Sequence, residues 1–445
     1  MNTLSTPTPI ERISEGVSSR RNGRPLNAWV LAVGEPLPPD GADERLFRAG
    51  LVAKNLAQRG HRVLWWTSAW DHRRKAFRDL PEALTHEGIE YRLLRGCGYM
   101  RNISFSRIRD QRQVAAEFAR RAPAEDHIPD VMFAAYPTVE LPGAAVEFGR
   151  RVHRPVVADI RDLWPDIFAG AVPQPFRPLA ELAISGLKRQ SASVLHGTAG
   201  ITGVTGAVVD WGLARARRAK GAFDRPFPLA LEHAPLAPDE LKEATASLAK
   251  KGVKASGGHL RMSFAGTLSR QFDFEPMMQA AEALRDLPFE FVIAGTGEQE
   301  QALRARAAGL PNVNMVGWLD RTELAALLGS STLGLAPYIS SWDFKLLFPN
   351  KISEYMAWGL PVVSSLEGEV AKVLEKEGVG VTFAGGDGAA LIRELRLFAD
   401  DRSRIEAMSA RGRALYTARF SAEQTYVAMA SYLEEVAADR IRANG

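Results

Sequence analysis

The chain has 445 residues, 46% hydrophobic and 24% charged, which is too long for one hydrophobic core and ordinary for a soluble protein, so two or more domains are expected. One cysteine, Cys97, excludes a disulfide framework and a cysteine-rich metal site, and no apolar run approaches the roughly 20 residues of a membrane span. The formal net charge of +4 is too weak to argue for nucleic acid and suits anionic small molecules or an anionic membrane surface.

Residues 1–25 read as a polar, flexible leader without the apolar core of a signal peptide, which points to the cytoplasm. Trp29 to Val33 reads as a buried strand and Gly34 to Gly41 as an irregular loop rich in Pro and Gly. A helix is expected from Glu44 to Gln58, with Leu46, Ala49, Ala53, Leu56 and Ala57 on one face. Gly60 caps it, and His61 to Trp66 leads into the next strand. Such a βαβ unit implies a parallel sheet. Further strands are expected at Val131 to Ala135, Val156 to Ile160 and Gly200 to Val204, with helices near 138–151, 177–190 and 205–218.

Four prolines between Pro226 and Pro238 mark a hinge, after which the alternation restarts. Strands are expected at Arg261 to Phe264, Phe289 to Ala294, Val313 to Val316, Leu333 to Pro337 and Pro361 to Ser364. Helices are expected at Pro276 to Leu284, Glu298 to Ala308 and Asn350 to Trp358, and the chain reads as helical from Asp401. Two successive α/β domains follow, with a ligand expected at the C-terminal ends of the strands of both.

The segment Phe348-Pro349-Asn350-Lys351 through Glu354 to Gly359 carries the strongest chemical signal. A helix starting at Asn350 presents orphan N–H groups, a ready anion site. Lys351 in its first turn opposes the helix dipole, a penalty that a diphosphate would remove, and Glu354 one turn on can accept from a ribose diol. A solvated Lys351/Glu354 pair is the alternative. Gly266 in a strand-end turn permits close backbone approach, with Arg270 able to pair with phosphate or to lie on the surface. Gly295 and Gly297 form a G-x-G without the third glycine of the dinucleotide fingerprint. Trp318 follows another strand end, where backbone groups can meet a nucleobase edge or a packed turn.

In the first half, Gly41 can bring a backbone amide to phosphate. Arg161 and Asp162 close a strand, where charges point at a ligand site unless Arg161 serves a structural ion pair. The histidines show no metal-ligand spacing and no Asp-x-Asp is present, so no metal is expected. Between Arg92 and Arg121, arginines interleave with Tyr99, Met100, Ile103, Phe105 and Ile108, a mix that fits either an interfacial segment or a solvated helix face.

Together the Pro-Pro-Asp-Gly loop (Pro38 to Gly41), Arg161 to Pro165, Ala294 to Gly297 and Pro349 to Val362 resemble GT-B glycosyltransferases of family 4, of the bacterial lipopolysaccharide or exopolysaccharide type, over about residues 28–435. The resemblance implies two Rossmann-like domains facing each other across a cleft: an acceptor domain at 26–225, a hinge at 226–238, a nucleotide-sugar domain at 239–420, and a C-terminal helix at 421–445 crossing back. It implies a retaining, metal-independent transfer from a nucleotide-diphosphate sugar, UDP-sugar favoured over GDP-sugar, as co-substrate without a further cofactor. The acceptor would be a glycan or lipid-linked sugar, and the inner-membrane surface a further partner. Catalytic roles fall to Arg161, Asp162, Arg270 and Lys351; donor contacts fall to Gly41, Gly266, Arg270, Gly295, Gly297, Trp318, Phe348, Asn350, Lys351 and Glu354. Glu354 matches the second glutamate of the family's E-x7-E motif, whereas Leu346 stands where the first would be, so backbone amides of Lys345 to Phe348 substitute for it. A GT-B epimerase and a catalytically silent nucleotide-binding partner are the alternative readings.

Overall fold

The computed structural model describes residues 24–41, 46–170, 172–253, 255 and 257–443. The leader through residue 23, and Glu44 as a helix start, lie outside the described residues. Contacts divide the chain into one unit of Met1–Phe227 with Tyr426–Gly445 and a second of Pro228–Thr425.

The first unit contains β1 (Asn27–Leu31), β2 (Arg62–Ser68), β3 (Trp70–Asp71), β4 (Ala76–Phe77), β5 (Ala83–His86), β6 (Ile89–Leu94), β7 (Val131–Tyr136), β8 (Val156–Ile160), β9 (Gly200–Gly203) and β10 (Arg225–Pro226). Eight of them form a sheet in the order β10-β9-β8-β7-β1-β2-β6-β5. All its pairs are parallel except β5 with β6. Near-continuous apolar strands such as Val131–Tyr136 are buried throughout, as a sheet covered on both faces requires. Trp29 stacks on Phe148 with ring centres 5.3 Å apart, while Trp65 and Trp66 are also fully buried. The last helix, Ala422–Ala443, adds to this unit through Tyr432, whose hydroxyl donates to the Phe223 carbonyl at 2.7 Å.

The second unit is a six-stranded, wholly parallel sheet of β11 (Leu260–Ala265), β12 (Phe289–Ala294), β13 (Val313–Gly317), β14 (Leu333–Ala336), β15 (Val362–Ser364) and β16 (Gly380–Thr382). Its order is β13-β12-β11-β14-β15-β16. Strands are added to one side of β11 up to β13 and to the other side from β14 on, which makes the C-terminal ends of β11 and β14 the topological switch point of the sheet.

Several elements differ from expectation. The first strand begins and ends two residues early, because Gly34 (φ 80°) turns the chain just beyond it. The helix expected from Glu44 begins at Arg48. The stretch 177–190 is two helices, Arg177–Ala183 and Ser185–His196, which meet at Ile184. Within the region expected as a hinge, Phe227 packs 5.3 Å from Tyr432 in the first unit. Leu231 in the second unit accepts from the Tyr416 hydroxyl at 2.6 Å and the Ala422 amide at 3.1 Å. No described helix is long and apolar enough to cross a membrane.

Candidate active site

On the second unit, parallel register brings the ends of β11, β12 and β13 side by side: Ala265 opposite Ala294, and Ala294 opposite Gly317. The chain beyond each end is glycine-lined. The Gly266 amide donates to the Ala294 carbonyl at 2.9 Å, and the Gly295 amide to the Gly317 carbonyl at 2.6 Å. A Cβ at Gly295 would overlap the Gly266 carbonyl oxygen, and its φ of 137° is itself unfavourable to a side chain. These two turns therefore touch backbone to backbone. Gly297 lies against Leu268 in the same row.

The helix Asn350–Ala357 starts here, with Pro349 at its N-cap and no side-chain cap. The Ile352 amide donates to the Pro349 carbonyl at 3.0 Å, which leaves the Asn350 and Lys351 N–H groups as the orphan donors of the first turn. Asn350 is exposed. Lys351 turns inward. Its ammonium donates to the Ala265 carbonyl and lies 4.2 Å from the centre of the Phe264 ring. A Cβ on Gly266 would come 2.9 Å from this ammonium, so the glycine makes room for it. Burial pushes the Lys351 ammonium down to about 8, with Glu354 pulling the other way. Among the described residues it has no ion-pair partner. A buried cation held by a carbonyl and a ring, at a helix N-terminus, is a costly arrangement that an anion would relieve.

The other expected residues of this unit have varied surroundings. Glu354 is half-buried in the same helix and acts electrostatically on Lys351, Tyr338 and Tyr355. Arg270 is exposed at the rim and pairs with Glu298 at 3.2 Å, while its amide donates to the same carboxylate at 2.9 Å. Trp318 is 68% exposed just past β13. Phe348 is buried and stacks on Phe420 at 4.8 Å, so its side chain is committed to the core and its backbone alone is left for a ligand. The structure thus gathers Gly266, Gly295, Gly297, Lys351 and the start of the Asn350 helix, with Arg270, Trp318 and Glu354 around them.

Gly41, Arg161 and Asp162 belong to the first unit. Arg161 follows β8 and sits in a buried charge network that the sequence alone did not reveal. It pairs with Glu35 and, at 3.0 Å, with Asp159. Asp159 is also held bidentately by Arg48 at 2.8 and 2.9 Å and accepts from Thr202 at 2.7 Å. Burial alone would raise the Asp159 carboxyl, but Arg48 and Arg161 outweigh it and hold it well below the usual carboxylate range. The Glu35 carboxylate accepts from the amides of Ala49 and Gly50, so the N-terminus of the Arg48 helix already holds an internal anion. Arg161 therefore has the structural ion pairs that its sequence context allowed as one option. Gly41 follows the short turn Pro38–Asp40, which Arg78 anchors by pairing with Asp40 and donating to the Glu35 carbonyl at 2.9 Å. Asp162 is exposed.

A family model described as glycosyl transferases group 1 matches residues 260–401. That segment is similar to the domain the model describes. It contains Gly266, Gly295, Gly297, Lys351 and Glu354. Over 193 residues the chain is 26% identical to a protein named as the colanic acid biosynthesis glycosyltransferase WcaL of Salmonella typhimurium, covering 42% of this chain and 48% of that one. The chain spans half or less of the length of the curated relatives it matches. Among solved structures, the sucrose-phosphate synthase of Thermosynechococcus elongatus superposes with a TM-score of 0.67 at 15% identity, over 93% of this chain and 100% of that one. Anabaena HepE, in complex with UDP, does so with 0.64 at 13% identity, over 92% and 100%. The fold is accordingly GT-B: α/β, with two Rossmann-like units.

Proposed function

We propose that the protein is a retaining, metal-independent glycosyltransferase of family 4 that moves a sugar from a nucleotide-diphosphate sugar to a glycan or lipid-linked acceptor during cell-surface polysaccharide synthesis. The observation that carries this reading is Lys351, a buried cation without a carboxylate ion-pair partner among the described residues, at the uncapped start of a helix and against Gly266. The group 1 match over the same residues and the UDP complex of a structural neighbour support it. The donor diphosphate lies on the Asn350 and Lys351 amides and the Lys351 ammonium, with Arg270 at the rim and Gly266, Gly295 and Gly297 allowing close approach. Glu354 accepts from the ribose hydroxyls, and the backbone beside Trp318 meets the base, uracil in preference to guanine.

In the transfer, the bond from the sugar anomeric carbon to the diphosphate breaks. The acceptor oxygen bonds to that carbon on the same face, and the acceptor proton passes to the departing phosphate oxygen. Lys351, Arg270 and the helix amides stabilise the charge that grows on the diphosphate. Arg161 and Asp162, on the first unit, serve the acceptor side. Exposed Met100, Ile103, Phe105 and Ile108, among exposed Arg101, Arg109 and Arg112, suit the anionic cytoplasmic face of the inner membrane.

The test uses the purified full chain with UDP- and GDP-sugars, with and without EDTA, following sugar release and the product anomer by NMR. Turnover that survives EDTA and keeps the anomeric configuration is expected. Conversion of the nucleotide-sugar to its epimer would overturn the assignment in favour of an epimerase. Tight nucleotide binding without turnover on any acceptor would favour a silent partner, the reading that Leu346 in place of the first motif glutamate supports.

A further inference from the structure

The first unit carries a second concentration of cations, apart from the Arg48–Asp159–Arg161–Glu35 network. His72 and Lys75 lie in the turn between β3 and β4, Tyr99 and Asn102 in the segment after β6, and Arg107 in the first helical turn after it. Tyr99 is the hub. Its hydroxyl is 2.7 Å from His72 Nδ1, and its ring centre is 5.0 Å from the Lys75 ammonium and 5.5 Å from the Arg107 guanidinium. The Lys75 ammonium is also 3.3 Å from His72 Nδ1 and donates to the Asn102 side chain at 2.6 Å. Arg107 donates to the Asn102 carbonyl at 2.7 Å and lies 4.9 Å from the centre of the Trp164 ring.

The two cations, Lys75 and Arg107, lack the carboxylates that such groups normally gather. The neighbouring acids are engaged elsewhere: Asp71 accepts from the Arg73 and Arg74 amides, and Asp110 from the Gly98 amide. Among the described residues neither forms an ion pair with His72, Lys75 or Arg107. Arg107 Nε is buried without an acceptor. Burial, then Lys75 and Arg107, push the His72 pKa below its ordinary value, with Asp71 pulling the other way, so the imidazole stays neutral beside the two cations. On the same segment Met100, Ile103 and Phe105 are 69%, 81% and 91% exposed.

We propose that His72, Lys75 and Arg107 bind the phosphate of a lipid-linked sugar phosphate, with Met100, Ile103 and Phe105 against the first part of its hydrocarbon chain. Donors gathered around Tyr99, two of them cationic, fit a phosphate dianion or a diphosphate, and exposed apolar side chains beside them fit a phosphate that bears a lipid rather than a free one. The proposal depends on the transferase reading only in naming this ligand as the acceptor.

Isothermal calorimetry on the full chain tests it, with inorganic pyrophosphate and farnesyl diphosphate as probes. Lys351→Met is the background, which removes the cation of the second unit. Farnesyl diphosphate is expected to bind more tightly than pyrophosphate. Lys75→Gln with Arg107→Gln should weaken both, about tenfold for each cation removed. Ile103→Ser with Phe105→Ser should weaken the farnesyl probe alone. Circular dichroism verifies folding, and the exposed pair Ile103/Phe105 provides a test that leaves the charge cluster intact. Unchanged affinity for both probes in the Lys75/Arg107 variant overturns the proposal; equal affinity of the two probes overturns its lipid part. UDP binding to the wild type reports on the transferase reading independently, so either idea can fail without the other.

Discussion

The Lys351 ammonium lies 4.2 Å from the centre of the Phe264 ring, 87 positions earlier in the chain, and donates to the carbonyl of Ala265. This contact ties the start of the Asn350 helix to the end of β11 and places a titratable cation where a diphosphate would lie. Its pKa, pushed down to about 8 by burial, has two consequences. In the unliganded chain the group is charged below pH 8 at a cost, and its contribution to stability improves from about pH 8 up to its ordinary value near 10.5. A bound diphosphate favours the charged form and raises the pKa, so UDP binding takes up protons above pH 8 and weakens as the pH rises further. Calorimetry at pH 8.5 in buffers of different ionisation enthalpy should register that uptake, and Lys351→Met should abolish it.

In the proposed transfer Glu354 accepts from the ribose and not from the phosphates. Glu354→Gln should therefore weaken UDP binding by roughly tenfold, the worth of a charge-assisted hydrogen bond, and leave pyrophosphate binding to this unit unchanged. Equal loss for both ligands would mean that it acts through the charge of Lys351.

Gly295 and Gly266 touch through their backbones, and no side chain fits at Gly295. Gly295→Ala should cost about 3 kcal/mol or more, because an overlapping Cβ and a positive φ act together. Urea denaturation measures it. A variant as stable as the wild type would mean that the two strand ends are not packed as described.

Asp159 holds Arg48, Arg161 and Thr202 at once. Asp159→Asn leaves two buried guanidinium groups without their shared charge and should cost about 3 kcal/mol, measured in the same way. The pH profile follows from the depressed pKa. The stabilisation is complete above the unfolded-state value of about 4 and disappears only as the pH falls below the ordinary carboxylate range. The difference in stability between wild type and Asp159→Asn should hence be flat from pH 5 to 7 and shrink in stronger acid.

The parts of this architecture that follow from local pattern were legible in the sequence. Phe289–Ala294 and Val156–Ile160 are apolar but for one carboxylate each, Glu290 and Asp159, and occur as strands with the same bounds. The Asn350 helix likewise declares itself through Pro349 before it and Gly359 after it. The strand Ile89–Leu94 does not, because Glu90 and Arg92 interrupt its apolar residues and find their partners in Arg62 and Glu125 only after folding. The same limit applies to the sites. Lys351 was identifiable from its position in a first turn, but its resting place against Phe264 and Ala265 is tertiary. Arg161 was identifiable as a charge at a strand end, whereas Glu35 and Arg48, its companions in the network, lie more than a hundred positions away. Phe348 was assigned to the ligand for its place in a motif, and its stacking on Phe420 depends on the helix ending at Arg419.

The central claim is tested most directly by titrating UDP into the wild-type chain and into Lys351→Met, side by side at pH 7. One molecule should bind per wild-type chain, and the variant, with its circular dichroism intact, should bind roughly 10- to 100-fold more weakly. Equal affinity in the two proteins would contradict a diphosphate site at the start of the Asn350 helix.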